Sequence, residues 1–577
     1  MDKTPQPPHV LVVGGGPVGL EAAVASALAG FAVTLCERSH TVGAAVRDWG
    51  HCRLFSSNEL NCSARGLQVL DELGCRLPAR AAHPTGKEYT DDYLEPLGRW
   101  IEQREGCSLR LCTSVVSVSR GHLLKGDAVK ATGATERDAA PFSALLADEA
   151  SGDESVLDGL AAVIDATGTY GNGCSLGTGG APAVGERALR RAPAVSVAPA
   201  AAAASAGAPT PPVDAFFDRL PDVCGLDCAA FLPRFGGRSV RIAVVGGGYS
   251  AATTLRALLE LAASRGNLYR FDIDWLLRKP TAAGLPYAQL EDDPLPSRGE
   301  LVDIANKIAG YTHGLGGGGG GGGGCTPGTP LVCVHRGVTI NSVARGADGA
   351  ITVRGRREPL ATYPPAPPAA DAPVAGAPVA AAAELEPFEL TVDTLVSHVG
   401  YRPSYDLVRE LQVHLCYASE GPMKLASSLL AAKVAASGNP AAAGDCLNQP
   451  AAGPELLTTP EPRFYVLGSK SYGRSSSFLL RTGHSQVEAV VGMLVNDLLR
   501  PSPPTTAADA ADAVDAGRAD QAAAQDPPAT AAPTGAEADA SGSAPEGADA
   551  EGGAVEERSD AAAATDAQPD EGAAAGR

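Results

Sequence analysis

The sequence predicts an α/β protein with two parallel sheets, and three observations carry this prediction. Short apolar segments typical of strands alternate with helical patterns along the chain. Two of the strands run directly into glycine-rich turns that open helices. The 577 residues are enough for about three to four domains. The predicted strands are His9–Val13, Ala32–Glu37, Ala161–Ala166, Arg241–Val245, Ile273–Leu277, Thr394–Val399 and Phe464–Leu467.

The first strand leads into the stronger of the two glycine-rich turns. Val10–Val13 is a continuous apolar run, typical of a strand that is covered on both faces. In the turn that follows, Gly14 permits a tight bend, Gly16 lets a pyrophosphate approach the backbone, and Gly19 lets the helix pack closely on the strand. The predicted cofactor contacts of this turn are Gly14, Gly16, Pro17 and Gly19.

The second strand completes this unit with an acidic residue. It ends in Glu37, 23 residues after Gly14, where a carboxylate can accept hydrogen bonds from the ribose hydroxyls of an adenine dinucleotide. A glycine-rich turn alone is weak evidence, but strand, turn, helix, strand and acid occur here in order. The sequence therefore predicts a Rossmann-like domain that binds a dinucleotide.

A second unit of the same kind begins at Arg241–Val245. Its next strand ends in two cations rather than an acid, and cations there would pair with the 2′-phosphate of NADPH. The alternative is that the two cations are solvent-exposed residues at the end of a strand and bind no ligand. One acidic and one basic site suggest that the first holds FAD and the second NADPH. The predicted contacts of the second site are Gly246, Gly248, Ser250, Ala251, Arg278 and Lys279.

With these motifs the sequence resembles the FAD/NAD(P)-dependent oxidoreductases built from two dinucleotide-binding domains, which include flavin-containing monooxygenases and thioredoxin reductases. Val163–Tyr170 is similar to the Ala-Thr-Gly turn at which the chain leaves the FAD domain, and Asp393–Pro403 is similar to its counterpart after the NADPH domain. The resemblance implies that Thr167, Gly168 and Gly400 contact the cofactors.

The chain is more closely similar to a little-characterised bacterial-type group of flavoprotein oxidoreductases, from Pro8 to about Leu499. The similar stretches are 53–61, 84–89, 93–97, 295–299 and 461–474. In the wider superfamily the last strand ends in Gly-Asp, whereas here Gly468 is followed by Ser469 and Lys470. The resemblance implies that Gly468, Ser469 and Gln486 contact FAD, and that Lys470 pairs with pyrophosphate or tunes the flavin.

Two cysteine pairs are candidates for a redox-active dithiol. Cys107 and Cys112 lie in the strand-like run Ser108–Val118, where an odd offset would point them to opposite faces. Cys224 and Cys228 precede the second glycine-rich turn, but their spacing on a helix is marginal for a disulfide. We expect structural thiols in both cases.

The leading hypothesis is therefore an FAD-dependent, NADPH-using monooxygenase-like enzyme that acts on a small organic substrate, with dioxygen as a candidate co-substrate. The resemblance implies that Asn58 positions oxygen, with Asn61 as a competitor for this role. A histidine-containing motif of flavin-containing monooxygenases is not apparent between the two glycine-rich turns. A thioredoxin-reductase-like enzyme, a generic NADPH–flavin reductase and a non-catalytic FAD-binding regulator remain alternatives.

Composition and charge limit the remaining possibilities. From Pro501 onward, 16 acidic residues and three arginines carry −13 of the formal charge of −20. This acidity argues against a nucleic-acid partner, and no stretch approaches the about 18–20 apolar residues of a membrane span. The polar start and 13 scattered cysteines predict a cytoplasmic location, with an organelle left open. We expect no metal site, since the sequence lacks zinc-ligand spacing.

The expected domain limits follow from the motifs and from the low-complexity segments. The Ala/Pro-rich segments 194–213 and 364–383 and the glycine run 316–324 are expected to be surface insertions. The FAD domain is expected at 8–169 and 386–499, separated by a connector at 170–234 and an NADPH domain at 235–385. A disordered acidic tail is expected at 500–577.

Overall fold

The computed structural model describes most of the chain up to residue 500. The described residues are 6–127, 136–191, 215–232, 239–265, 269–281, 284–289, 293, 295–310, 331–359, 384–435 and 453–500. The three low-complexity segments and the tail from Pro501 onward lie outside the described residues.

Sixteen strands are described. They are β1 His9–Val13, β2 Ala32–Cys36, β3 Cys107–Arg110, β4 Thr113–Ser119, β5 Phe142–Asp148, β6 Glu154–Leu160, β7 Ala162–Asp165, β8 Phe216–Phe217, β9 Ser239–Val245, β10 Arg270–Leu276, β11 Leu331–His335, β12 Thr339–Arg345, β13 Ile351–Arg357, β14 Glu386–Val392, β15 Thr394–Ser397 and β16 Phe464–Val466.

Twelve α-helices are described in the same part of the chain. They are α1 Pro17–Leu28, α2 Ala44–Arg47, α3 Asn58–Asn61, α4 Ala64–Glu72, α5 Gly86–Tyr89, α6 Glu95–Gln103, α7 Glu136–Ala139, α8 Glu186–Arg191, α9 Tyr249–Arg265, α10 Pro296–Gly310, α11 Met423–Ala435 and α12 Leu480–Leu494.

The first sheet has the strand order of a dinucleotide-binding fold. Its five strands are parallel and lie in the order β16-β7-β1-β2-β3. Read from β3, this is the 3-2-1-4-5 order of a Rossmann sheet. Helix α1 connects β1 to β2, as a crossover between neighbouring parallel strands requires.

The second sheet repeats this arrangement. Its strands are also parallel and lie in the order β11-β10-β9-β15-β8, with α9 as the crossover from β9 to β10. The first four strands again follow the order 3-2-1-4, and the short β8 is added at the edge. The predicted α/β class with two Rossmann-like sheets is confirmed.

Each parallel sheet is covered on both faces, which explains the apolar runs in the sequence. In β1, Val10 and Val12 face the core that contains α1, while Leu11 and Val13 face the antiparallel sheet β4-β5-β6. In the second sheet a second antiparallel sheet, β12-β13-β14, covers one face, and α9 and α10 cover the other. Strands buried on both faces lack the alternation of a half-exposed strand.

Strand pairing changes the proposed domain limits. The NADPH domain was expected at 235–385, but β8 pairs with β15, β14 pairs with β13, and β15 pairs with β9. The chain returns to the second sheet after the antiparallel sheet, because its fourth parallel strand lies beyond residue 385. We therefore propose that this domain includes β8, β14 and β15.

The run Ser108–Val118 is not one strand. The chain forms β3 and then β4, which belong to different sheets. Between them Cys112 has a φ of 50°, a left-handed conformation that redirects the chain. Cys107 and Cys112 therefore do not lie on one strand, and the expectation that they point to its opposite faces does not apply. Both are free thiols.

Candidate functional site

The first glycine-rich turn is closed by direct backbone contact. Gly14 has a φ of 100°, which side-chain-bearing residues rarely adopt. A Cβ on Gly19 would lie 1.8 Å from the carbonyl oxygen of Gly14, so that α1 approaches the turn more closely than any side chain allows. Both glycines thus have the structural roles that the sequence predicts.

The amino end of α1 is open to a ligand. Gly16 is the N-cap and Pro17 follows in the first helical turn. A Cβ built on Gly16 meets nothing within 4 Å, so the space beside this backbone is free within the described structure. The first N–H groups of a helix have no intrahelical partners and attract anions. The geometry suits the pyrophosphate of a dinucleotide.

Glu37 connects the end of β2 to this turn. Its Oε2 accepts a hydrogen bond from the N–H of Gly15 at 2.7 Å, and its Oε1 accepts one from the N–H of Ser39 at 2.9 Å. A carboxylate has about four acceptor positions, so two remain for ribose hydroxyls. The backbone bonds fix the orientation of the side chain in advance.

The ends of β7 and β16 meet beside the first turn. The side chain of Ser469 lies 3.5 Å from the position of a Cβ on Gly168, and Val18 of α1 lies 3.3 Å from that of a Cβ on Gly468. Thr167, next to Gly168, is exposed. The predicted contacts of the FAD site therefore converge at the carboxyl edge of the sheet, where ligands of such folds bind.

Lys470 forms a buried ion pair at the end of β7. Its side chain is fully buried, and its Nζ lies 2.5 Å from Oδ2 of Asp165 and 2.9 Å from Oγ1 of Thr167. Thr167 Oγ1 in turn donates to Oδ1 of Asp165 at 2.7 Å. These bonds connect Lys470 to the end of β7 and to the Thr167–Gly168 turn. A catalytic role for Lys470 stays a prediction.

Gln486 forms two hydrogen bonds with the turn after β16. Its Oε1 accepts a hydrogen bond from the N–H of Gly468 at 2.9 Å, and its Nε2 donates to Oγ of Ser471 at 2.9 Å. The residue is buried on α12. Both amide contacts are made within the protein, and they hold the turn after β16 against α12.

The second turn is anchored by two aromatic side chains that the sequence did not single out. Trp275 Nε1 donates to the carbonyl oxygen of Gly246 at 2.8 Å, and the Tyr287 hydroxyl donates to that of Gly248 at 2.9 Å. A Cβ on Gly248 meets nothing within 4 Å, as for Gly16 in the first turn. Ser250 and Ala251 follow in the first turn of α9.

His398 lies directly behind this turn. A Cβ on Gly246 would lie 2.1 Å from the carbonyl oxygen of His398, and the His398 Nε2 lies 2.8 Å from Oγ1 of Thr254 on α9. Burial lowers the pKa of His398 to about 4, so its ring is neutral at pH 7. Gly400 follows at the surface with a φ of 91°.

The two cations after β10 are exposed at the same edge of the second sheet. Lys279 Nζ donates to the carbonyl oxygen of Pro286 at 3.3 Å. Arg278 has no hydrogen-bond or ion-pair partner within the described part of the chain. An unpaired guanidinium can bind a phosphate with two N–H groups, so Arg278 is the better placed of the two.

The two sheet regions touch beside the second turn. Phe55, from the loop before α3, makes an edge-to-face contact with Tyr249, with 5.8 Å between ring centroids. Tyr249 opens α9 and also stacks on Tyr287 at 6.0 Å. The predicted FAD region thus reaches the predicted NADPH site through a contact of aromatic rings.

Asn58 and Asn61 are buried at α3. Asn58 Nδ2 donates to the carbonyl oxygen of Ala79 at 3.0 Å, and Asn61 Nδ2 donates to that of Ser56 at 2.9 Å. These bonds hold the segments on both sides of α3. A role for Asn58 in positioning oxygen stays a prediction.

A polar cavity of about 530 Å³ lies between α3, α4 and α12. His484 lines this cavity, and its Nε2 is buried without a hydrogen-bond partner. Arg80 and Arg481 also line it. No sequence pattern indicated this cavity, because its walls come from segments about 400 residues apart.

The candidate dithiol cysteines Cys224 and Cys228 contact different residues. Cys224 Sγ contacts the carbonyl oxygen of Ala257, and Cys228 Sγ contacts Arg265. Ala257 lies eight residues after Tyr249 on α9, which is about 12 Å along the helix from the glycine-rich turn. All eleven described cysteines are free thiols.

None of the helices in the described part of the chain combines the length and apolar character that a membrane crossing requires.

Comparison with known proteins gives weak similarities. No family model matches the sequence. Thiamine thiazole synthase from Desulfosudis oleivorans is 38% identical over 113 residues, which are 19% of this chain and 40% of that protein. The chain thus spans less than half the length of this curated relative.

Solved structures of similar arrangement include two reductases. The bacillithiol disulfide reductase Bdr from Bacillus cereus aligns at 13% identity and a TM-score of 0.45, covering 85% of this chain and 99% of that one. Thioredoxin reductase from T. acidophilum aligns at 12% identity and a TM-score of 0.42, covering 84% and 98%.

Proposed function

We propose that the protein is an FAD-dependent oxidoreductase that uses NADPH. One observation carries this proposal: two parallel sheets each present an open glycine-rich turn at the amino end of a helix, at the edge where dinucleotides bind. Two dinucleotide sites in one chain are typical of hydride transfer between a nicotinamide and a flavin. FAD would supply the hydride-accepting chemistry.

The assignment of cofactors to sites rests on charge. Glu37 would bind the adenosine ribose of FAD in the first site, because both its oxygens are already oriented by backbone N–H groups. A carboxylate there would repel a 2′-phosphate. Arg278, exposed and unpaired in the described structure, would bind that phosphate in the second site.

We further propose that electrons pass to dioxygen and that a small organic substrate is oxygenated. Overall, NADPH, a proton, dioxygen and substrate would yield NADP⁺, water and oxygenated substrate. The remoteness of Cys224 and Cys228 from the glycine-rich turn supports this over a dithiol mechanism. A disulfide reductase is the second candidate, because Cys224 and Cys228 are free thiols.

Cofactor content tests the first part of the proposal. Purified protein is expected to be yellow and to release about one FAD per chain on denaturation. NADPH should bleach the flavin absorbance faster than NADH under anaerobic conditions. Colourless protein that takes up no added FAD would refute the proposal, and FAD that NADPH does not reduce would favour a non-catalytic binding protein.

Arg278→Ala tests the coenzyme site. We expect the KM for NADPH to rise about 10- to 100-fold with little change for NADH, because one charge-assisted phosphate contact contributes about 1.5–3 kcal/mol. Arg270→Ala is the matched control, since Arg270 lies at the other end of β10 and pairs with Asp272. Equal losses with both coenzymes would argue against a 2′-phosphate contact.

The electron acceptor is tested by two parallel assays. Substrate-dependent oxygen consumption with amines, sulfides or ketones would support oxygenation. NADPH-dependent reduction of low-molecular-weight disulfides, lost in Cys224→Ser and Cys228→Ser, would replace it with the reductase assignment.

A further inference from the structure

Three metal-ligating side chains meet at one edge of the second sheet, although the sequence indicated no metal site. Asp274 lies on β10, and Cys333 and His335 lie on the neighbouring edge strand β11. One ligand atom from each residue lies within 4.8 Å of those of the other two. The parallel register explains the cluster, since Asp274 pairs with Cys333 and Leu276 pairs with His335. Alternate residues of a strand share a face.

The cluster is largely withdrawn from solvent. The His335 and Asp274 side chains are 5% and 13% exposed, and Nε2 of His335 lies 2.8 Å from Oδ1 of Asp274. The ring of Phe388, from β14, stacks on His335 with 6.3 Å between centroids. The antiparallel sheet β12-β13-β14 therefore covers the site and limits access by water.

The local charge favours a divalent cation. Asp274 supplies one negative charge, and Cys333 would supply a second once a metal ion displaces its thiol proton. Arg357 lies nearby, with Nη1 2.5 Å from Nδ1 of His335, but Glu386 pairs with this arginine at 3.0 Å and offsets its charge. A bound divalent ion would therefore face the two negative charges of Asp274 and metal-bound Cys333.

We propose that Asp274, Cys333 and His335 bind one divalent transition-metal ion of the zinc class. Sulfur, imidazole nitrogen and carboxylate oxygen are the ligand types of tetrahedral zinc sites, and a water molecule would complete the coordination. Binding releases the thiol proton of Cys333. His335 coordinates through Nε2, so its ring proton moves to Nδ1 and Arg357 withdraws towards Glu386.

The site would connect the ends of β10 and β11. The N–H of Leu277 donates to the carbonyl oxygen of His335 at 2.8 Å, and that of Gly337 donates to the carbonyl oxygen of Lys279 at 3.2 Å. A metal ion bridging the two strands reinforces this connection. The proposal does not depend on the proposed oxidoreductase activity, and its test uses binding rather than turnover.

Cobalt binding to the full-length protein tests the proposal, because Co²⁺ occupies zinc sites and reports thiolate coordination in its spectrum. Chelator-treated protein titrated with Co²⁺ is expected to develop a thiolate-to-cobalt charge-transfer band and the strong visible bands of tetrahedral cobalt. Both should saturate at about one ion per chain and disappear on addition of one equivalent of Zn²⁺.

Two near-isosteric variants identify the ligands. Cys333→Ser should lose the charge-transfer band, and Asp274→Asn should bind Co²⁺ at least about ten-fold more weakly. The controls are Asp272→Asn, two residues earlier on β10, and Cys228→Ser, a free thiol outside the cluster; both should bind as the parent protein does. Unchanged circular dichroism of the metal-free variants verifies folding.

Absence of the charge-transfer band in the parent protein at one equivalent of Co²⁺ would overturn the proposal. Its retention in Cys333→Ser would do the same. Loss of the charge-transfer band in Cys228→Ser instead would show that Co²⁺ binds at another site and would refute this assignment.

Discussion

The two glycine-rich turns share a backbone plan but differ in the groups that support them. Behind the first turn, the end of β7 carries a fully buried ion pair between Asp165 and Lys470. Behind the second, the residue that follows β15, His398, forms a neutral hydrogen bond with Thr254. The same strand order therefore tolerates a charged or an uncharged support.

The turns also differ in how closely the helix approaches. At the first turn, Gly19 leaves no room for a methyl group, whereas Ala251 is accommodated without exposure in the corresponding place of the second turn. The third position of the first turn therefore requires glycine, whereas the same position of the second turn accepts alanine. The contacts of the first turn join residues from both ends of the described chain, whereas the supports of the second turn come from β10, the loop after it, α9 and the residue after β15.

Removing one partner of the ion pair is expected to have the largest effect. Lys470→Met leaves the Asp165 carboxylate buried without its cation, and should lower the free energy of unfolding by about 3–5 kcal/mol. Urea denaturation measures this loss. Arg354→Met is the matched control: Arg354 pairs with Glu389 at an exposed site, where we expect a loss of about 0–1 kcal/mol. Equal losses of unfolding free energy in the two variants would show that the buried ion pair contributes no more to stability than the exposed one.

Exchanging the third residue of each turn tests the difference in packing. Gly19→Ala places a Cβ 1.8 Å from the Gly14 carbonyl oxygen, so the free energy of unfolding should fall by about 1–3 kcal/mol and FAD content should fall with it. Ala251→Gly should cost only about 1 kcal/mol, from helix propensity. Gly16→Ala, at a position with free space, separates the effects: it should lower FAD affinity with little loss of stability. A stable, fully flavinylated Gly19→Ala protein would contradict the packing argument.

The neutral support of the second turn predicts a change in stability that depends on pH. Burial lowers the pKa of His398 to about 4, while the unfolded chain has a histidine pKa of about 6.5. Between these values the unfolded chain binds more protons, so the contribution is complete above about pH 6.5 and is lost as the pH falls towards 4. The slope is at most about 1.4 kcal/mol per pH unit.

Denaturation of the parent protein and His398→Ala at several pH values measures this slope. The parent should lose stability more steeply than the variant on acidification from pH 6.5. His122→Ala, at an exposed histidine, is the matched control for the loss of one histidine side chain. Parallel curves for the parent protein and His398→Ala would refute the assignment.

The first β1-α1-β2 unit and the roles of its glycines were predictable because they depend on local patterns. The run Val10–Val13, the glycines after it and Glu37 lie within 28 residues, and each has a physical requirement visible in the sequence. The partner of Lys470 was not predictable, because Asp165 lies 305 residues away. Trp275 and Tyr287 lie only 29 and 39 residues from the glycines that they support, but an apolar strand residue and a loop tyrosine have no pattern that indicates their hydrogen bonds.

The bond between Asp165 and Lys470 also has a consequence for biosynthesis. The ribosome completes Asp165 about 305 residues before Lys470, an interval of roughly 15–60 s at 5–20 residues per second. During this time β7 can join β1 and β2, but β16 and the cation are still missing. The nascent first sheet therefore exposes an incomplete edge and an unpaired carboxylate while the second sheet is being synthesised. A chaperone that shields this edge would act before residue 464 emerges.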